Sequence, residues 1–470
     1  MQTNWLWGYL IPIGLLLLAW GGLEPPKARR ITPLAALALA LAVIGYWALG
    51  YGLHLGGAYV VNPDPALQGL DLLYGDNVHF GIFGMTGFAL TWDAGEIVSP
   101  TALALFLNYL PIMVGAVLLV TLSLAEARRW LIVLAAALTG ALVAPVAACW
   151  AWGGGWLSQL WRTMELGSGF VDFGGSALLF WLPASLSFGI LILQPRRPAS
   201  EVSAPPPAYY PLLANLGALF VGIGWIGWTL SGPFHFYGAT FDWNRAAINM
   251  FLGMAGAALT SQLYAWLATG DIEPLFAARG LTAGCGAILA GAAFLPPWAA
   301  LVVGLVAGLV FPFLLYVTEV LLRLRDSAAT VALGLTGGLW GLLSVGLFAD
   351  ARAGIGWNGM TGARGVAGLL TQGESQFVAQ LLGLLAFGLW GLLWGLVLGG
   401  INRLSLPRVH RLEQAQPVSE AAPVEELAAM PEAAEVTSEE LDSLLGLEPT
   451  PDSTSIEELL PAEPLASTEA

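Results

Sequence analysis

The chain has 470 residues, 57% of them apolar and only 10% charged, with 32 acids against 17 bases. So little charge cannot cover the surface of a water-soluble domain of this size, and the acidic balance excludes a nucleic-acid-binding face. The net charge of −15 is local: 15 acids lie from Glu413 onward, where no Lys or Arg occurs, leaving 17 acids against 17 bases before that point.

The apolar residues fall in blocks of about twenty, the length an α-helix needs to cross a bilayer core. Long uncharged blocks predict helices and not barrel strands, because a spanning segment must satisfy its own backbone. Eleven spans are predicted, near residues 4–23, 31–56, 100–125, 130–153, 173–194, 212–231, 246–269, 280–295, 298–322, 328–348 and 376–402. The first is not read as a cleaved signal peptide, since no basic residue precedes it. The eighth is short and rich in Gly and Ala, and Pro296 and Pro297 are read as a tight turn directly after it.

Charge in the connections sets the expected orientation. Thirteen of the 17 bases, beginning with Lys27, Arg29 and Arg30, fall on one side, and Arg162, Arg245, Arg352 and Arg364 on the other. The N-terminus is therefore expected outside and the C-terminus in the cytoplasm, with the protein integral to the cell membrane. Cys149 and Cys285 lie in apolar segments and read as small buried hydrophobes, not as a disulfide.

Three regions fall outside the spans. Gly57 to Ser99 is an external loop rich in Gly and aromatics, with Asp64, Asp71, Asp76, Asp93 and Glu96. The connection Gln194 to Pro211 contains Pro205, Pro206 and Pro207, a stiff linker between two halves. Residues 405–470 form an acidic, Pro- and Glu-rich tail expected to be disordered, following a membrane domain over 1–404. Within it SEELDSLLGLEP (Ser438 to Pro449) and SIEELLPAEP (Ser455 to Pro464) both place acids before a Leu pair. They read either as low complexity or as a peptide that docks on a cytoplasmic partner.

Seven blocks together resemble the ammonium transporter (Amt/Rh) family, over roughly Trp5 to Leu404. YWALGYGLHLGG (Tyr46 to Gly57) and the following HFGIFGMTGFAL are similar to its second helix and outer loop. WAWGGGWLSQL and VDFGGSALLF, within Trp150 to Phe180, resemble its Trp-Gly-Gly-Gly segment and fifth-helix Asp-Phe-Ala-Gly-Gly signature. GWIGW (Gly224 to Trp228), AAINMFLGMAGAALTSQLYAWL from Ala246, and PPWAALVVGLVAGLV from Pro296 resemble its sixth, seventh and ninth helices. GLTGGLWGLLSVGLFA (Gly334 to Ala349) is similar to its tenth, and GWNGM (Gly356 to Met360) to its last external loop.

The resemblance implies an all-α polytopic membrane protein of eleven transmembrane helices, two inverted five-helix repeats plus a final helix, assembled as a homotrimer. It implies ammonium or ammonia as substrate, the lipid bilayer as surroundings, no cofactor and no metal. In the family a cation gains attraction from aromatic rings in an outer vestibule, loses a proton, and crosses a pore lined by two histidines. Carried over, the vestibule residues are Trp152, Asp172 and Trp228. The vestibule hydroxyl maps to Gly232, with Ser231 adjacent.

The two pore positions carry Phe180 and Gly334, so both family histidines are absent. The four histidines of the chain, His54, His79, His235 and His410, are placed at a span end, in loops or in the cytoplasmic segment. The Phe180 ring is expected to fill the space vacated at Gly334 and plug the pore. The third-helix aromatics do not align: an ungapped match from Ala125 and Glu126 gives Asn108 and Ile112, with Phe106 and Tyr109 nearby. The family's regulatory tail is not recognisable after Leu404.

Each site residue also has a plainer reading. Asp172 caps the fifth helix, accepting N–H bonds from Gly174 or Gly175, and Asp326 does the same for the tenth. Trp152, Trp225 and Trp228 read equally as interfacial anchors. No nucleophile–base pair, metal-spaced cluster or phosphate loop occurs, since the Gly153 to Gly155 run lacks the needed Lys; an enzyme is not expected. The function expected is an ammonium or ammonia channel or transporter, in one form passing neutral gas alone. The alternative is a non-conducting ammonium sensor or membrane scaffold that signals through its acidic tail.

Overall fold

Proline in the first turn starts five of the spans. Its fixed φ and missing N–H cost nothing where the backbone donors have no intrahelical partner. In the computed structural model, which describes residues 3–62, 64–70, 81–91, 97–201, 207–230, 239, 241–360 and 364–405, the spans are α1 (Leu6–Gly22), α2 (Pro25–Leu55), α3 (Pro100–Ser123), α4 (Arg129–Trp152), α5 (Ser176–Ile192), α6 (Pro211–Leu230), α7 (Trp243–Thr269), α8 (Pro274–Leu289), α9 (Pro297–Leu321), α10 (Thr330–Phe348) and α11 (Glu374–Leu404). Among the described residues, eight are long and apolar enough to cross a membrane, and α1, α5 and α8 are shorter apolar helices. The chain is an integral, all-helical membrane protein. The tail and its two acidic Leu-pair segments lie outside the described residues.

The eighth span differs from its prediction. It runs Pro274–Leu289 and not 280–295, and Pro297 begins α9 behind Pro296 instead of closing α8. Hydropathy missed the polar-flanked start at Glu273 and Pro274; the proline pair is an N-terminal signal here. Similarly α7 begins at Trp243, where Asp242 accepts N–H bonds from Asn244 and Arg245.

The two halves repeat one arrangement, α1–α5 and α6–α10, with α11 outside both. α1 packs along α6, and α5 packs against α10. Glycine makes the first contact close: a Cβ on Gly14 would lie 2.5 Å from the carbonyl oxygen of Gly217. Large apolar side chains such as Phe251, Leu259, Leu389 and Leu393 remain exposed on the outer faces of α7 and α11, as a lipid-facing surface requires. Both cysteines are buried and unpaired.

Between α3 and α4, Glu126 joins three other segments of the chain. Its carboxylate lies 3.1 Å from Lys27, 3.3 Å from Arg197 and 2.9 Å from Arg325. Burial alone would push this carboxyl up, but the three cations outweigh it and hold it below its ordinary value.

Candidate functional site

The second halves of both repeats are built on one local plan. Asp172 accepts N–H bonds from Gly175 (3.1 Å) and Ala177 (3.0 Å), and α5 starts four residues after it at Ser176. Asp326 accepts from Val331 at 2.8 Å, and α10 starts four residues after it at Thr330. Gly175 (φ +91) and Ala329 (φ +54) occupy the same left-handed step between Asp and helix. Phe180 and Gly334 then stand at the same offset from their aspartates, each inside a π-helical turn, Ser176–Trp181 and Gly334–Leu339. Such turns widen a helix by one residue and recur at functional sites.

Capping thus accounts for both aspartates, with Ala177 as a second donor. The expected Gly174 has another role: its carbonyl accepts the indole N–H of Trp225 at 3.1 Å.

The strand of chain presenting Asp172 is clamped from α11. Gln376 bonds Ser168 and Gly169, and Gln380 both donates to and accepts from Val171 at 2.8 Å. These glutamines escaped the sequence reading. The signal was available, because two amides four residues apart in a long apolar span need buried polar partners.

A cluster of buried aromatic rings lies beside Asp172. Trp152 donates its indole N–H to the Asp172 carbonyl at 2.8 Å, and its ring stacks on Tyr109 at 5.3 Å. Trp228 lies 6.1 Å from both Tyr109 and Trp152, and its N–H donates to the Asn108 carbonyl. Trp152, Trp225 and Trp228 are all at most 1% exposed, so none is an interfacial anchor. Tyr109, not the aligned Asn108, brings the aromatic ring of α3 to this cluster. Ser231 and Gly232 lie outside the described residues.

The Trp-Gly-Gly-Gly turn packs against the end of α2. A Cβ on Gly153 would collide with the carbonyl oxygen of His54, and Gly154 adopts φ +80. This close approach carries His54 inward. The residue stands at a span end as expected, yet it is fully buried beside Tyr109 and Trp152. Hydropathy could not distinguish an inward from an outward face there. His79, His235 and His410 lie outside the described residues.

The pore positions correct one expectation. The Phe180 ring is wholly buried, but it lies toward Gly286 of α8, where an added Cβ would sit 3.1 and 3.2 Å from its edge atoms. The space beside Gly334 is taken by the Cβ of Ala184 and by the Phe180 carbonyl oxygen, 2.7 Å from a Cβ built there. Close backbone packing of α5 on α10, and not the Phe180 ring, fills the volume next to Gly334.

The family model described as the Ammonium Transporter Family matches residues 8–422. The ammonium transporter Amt2 of Archaeoglobus fulgidus is 28% identical over 66% of this chain and 66% of its own length. Amt1 of Haloferax mediterranei is 30% identical over 57% of this chain and 51% of its own. The chain therefore aligns with just under two thirds and about half the length of these relatives. Among solved structures, Mep2 of Candida albicans shares the fold with a TM-score of 0.67 at 21% identity, covering 86% of this chain and 85% of that one. A sensor Amt protein has the same TM-score at 19% identity, covering 86% and 93%. With eleven spans, matching Asp-capped half-sites and a family match over most of its length, the chain belongs to the ammonium transporter family.

Proposed function

We propose that the protein carries ammonium nitrogen across the cell membrane, taking it up at the cluster of Trp152, Tyr109 and Trp228 beside Asp172. The observation that carries this reading is the ring cluster itself. The three rings pack within 5.3 to 6.1 Å of one another, a concentration of π-faces that favours a small cation arriving beside them. The Asp172 cap fixes the floor, and Ser231 is the hydroxyl expected to complete it. Below, Phe180 and Gly334 supply no titratable relay, so the species that passes is neutral ammonia and the flux carries no current. Transport is the work of a transporter and not of an enzyme.

The distribution of bases supports an outer N-terminus and a cytoplasmic C-terminus. Family resemblance supports a homotrimer, and the acidic tail is the element to which a cytoplasmic protein would bind. A non-conducting sensor or scaffold remains the rival, and the complete burial of Phe180 favours it.

Proteoliposomes separate the two. Ammonia-driven alkalinisation of the lumen should be faster with wild-type protein than in protein-free vesicles, and Trp152→Ala should slow it. Wild-type vesicles indistinguishable from protein-free ones would contradict transport and leave the sensor.

A further inference from the structure

His54 brings an imidazole into the aromatic cluster. It is 0% exposed, 4.8 Å from the Tyr109 ring at an interplanar angle of 77°, and 6.2 Å from Trp152. Its Nδ1 meets the Tyr46 hydroxyl at 2.9 Å, while its Nε2 has no hydrogen-bond partner among the described residues. Tyr46 is itself 0% exposed and stacks on Phe106 at 5.3 Å.

The partner of Nδ1 decides what Nε2 offers. A buried tyrosine hydroxyl needs an acceptor for its proton, and Nδ1 is the acceptor that Tyr46 has. With Tyr46 donating, Nδ1 carries the lone pair, and the neutral ring bears its proton on Nε2. That edge of the ring faces away from Tyr46. A buried N–H without an acceptor is complementary to a lone pair.

We propose that His54 is a ligand-binding residue of the cluster, its Nε2–H donating to a single neutral molecule that carries a lone pair, namely ammonia. The identity of that molecule rests on the transport reading; the donor geometry does not. Ring centroids 4.8 to 6.2 Å apart are contact distances, so the molecule meets the Nε2 edge of the imidazole and does not lie between the rings. Its lone pair accepts the Nε2–H in a hydrogen bond. Ammonium has no lone pair to offer. His54 thereby favours the neutral base, at the same cluster whose rings attract the cation. Water has matching chemistry and is the competitor that the test must separate.

The test uses full-length protein in lipid nanodiscs, with nitrogen-labelled histidine and His79→Gln, His235→Gln and His410→Gln, so that His54 alone reports. Ammonium chloride replaces potassium chloride at fixed pH and ionic strength. The expected result is a ring protonated on Nε2, whose Nε2 signal shifts saturably with ammonium chloride and not with potassium chloride. A Tyr46→Phe variant should alter the balance between the two tautomers. A ring protonated on Nδ1, or an Nε2 signal that ignores ammonium, overturns the proposal. Flux measured on the same protein reads the transport question separately. Flux without a shift sinks the His54 site alone, and a shift without flux keeps the site while sinking transport.

Discussion

The indole N–H of Trp152 donates to the main-chain carbonyl of Asp172 at 2.8 Å, so an indole of the aromatic cluster and the cap of α5 form one unit. The Asp172 side chain holds the helix end while its backbone holds the ring. A change at either residue should be felt at both.

Removing the cap is the first consequence. Asp172→Ala leaves the N–H groups of Gly175 and Ala177 buried without an acceptor, a loss of about 1–3 kcal/mol. Asp172→Asn keeps one acceptor oxygen and should lose less. Thermal unfolding in detergent, followed by tryptophan fluorescence, should rank wild type above Asn and Asn above Ala. An unchanged Ala variant would remove the capping role.

The repeat makes a parallel prediction for Asp326. Its carboxylate accepts from Val331 as that of Asp172 accepts from Ala177, five residues ahead in each case. Asp326→Ala should therefore destabilise by a similar amount, about 1–3 kcal/mol. The same unfolding assay decides it, and a cost confined to one half would show that the repeat is geometric without being energetic.

Space at the two pore positions is unequal. Gly334→His would drive its Cβ into Ala184 and the Phe180 carbonyl, and overpacking of this kind typically costs about 1–3 kcal/mol or more. Phe180→His exchanges one ring for a smaller one and should fold. Gly334→Ala should be rescued in part by Ala184→Gly, which removes the nearest obstacle. Folded yield and melting temperature of the two single variants and the double variant would show it; full additivity would contradict the contact.

Glu126 predicts an acid dependence. Three cations hold its carboxyl below its ordinary value, so the folded state binds fewer protons than the unfolded state. Its contribution is complete above the unfolded carboxyl range, near pH 4.5, and is lost as pH falls through the lowered value. Glu126→Gln should cost about 1–2 kcal/mol near neutrality and flatten the acid limb of stability. Melting curves from neutral to acid pH for both proteins would reveal any failure to flatten.

Much of this architecture was legible because lipid imposes a simple rule. Apolar blocks must be helices, so the spans lie close to where hydropathy puts them, apart from the displaced α8 and an α2 that starts six residues early at Pro25. The Asp caps were legible too, since Asp before glycines at a helix start has a local cause. What escaped depended on which way a side chain turns. One residue on α3 is about 100° of rotation, enough to exchange Asn108 for Tyr109 at the cluster. Likewise nothing local tells whether His54 faces inward, or that Phe180 reaches Gly286 instead of Gly334. Gln376 and Gln380 were visible as polar residues in an apolar span, but their partners lie over two hundred residues away in sequence.

We propose that neutral ammonia crosses by a path that begins at the Trp152 cluster and passes the Phe180 ring. Lumenal pH and membrane current, recorded together in proteoliposomes of wild type and Phe180→Ala during an ammonium step, test it most directly. Alkalinisation should exceed that of protein-free vesicles in wild type and be faster still in Phe180→Ala, with no current in either. Alkalinisation equal to protein-free vesicles in both proteins, or a current that scales with the ammonium step, would contradict it.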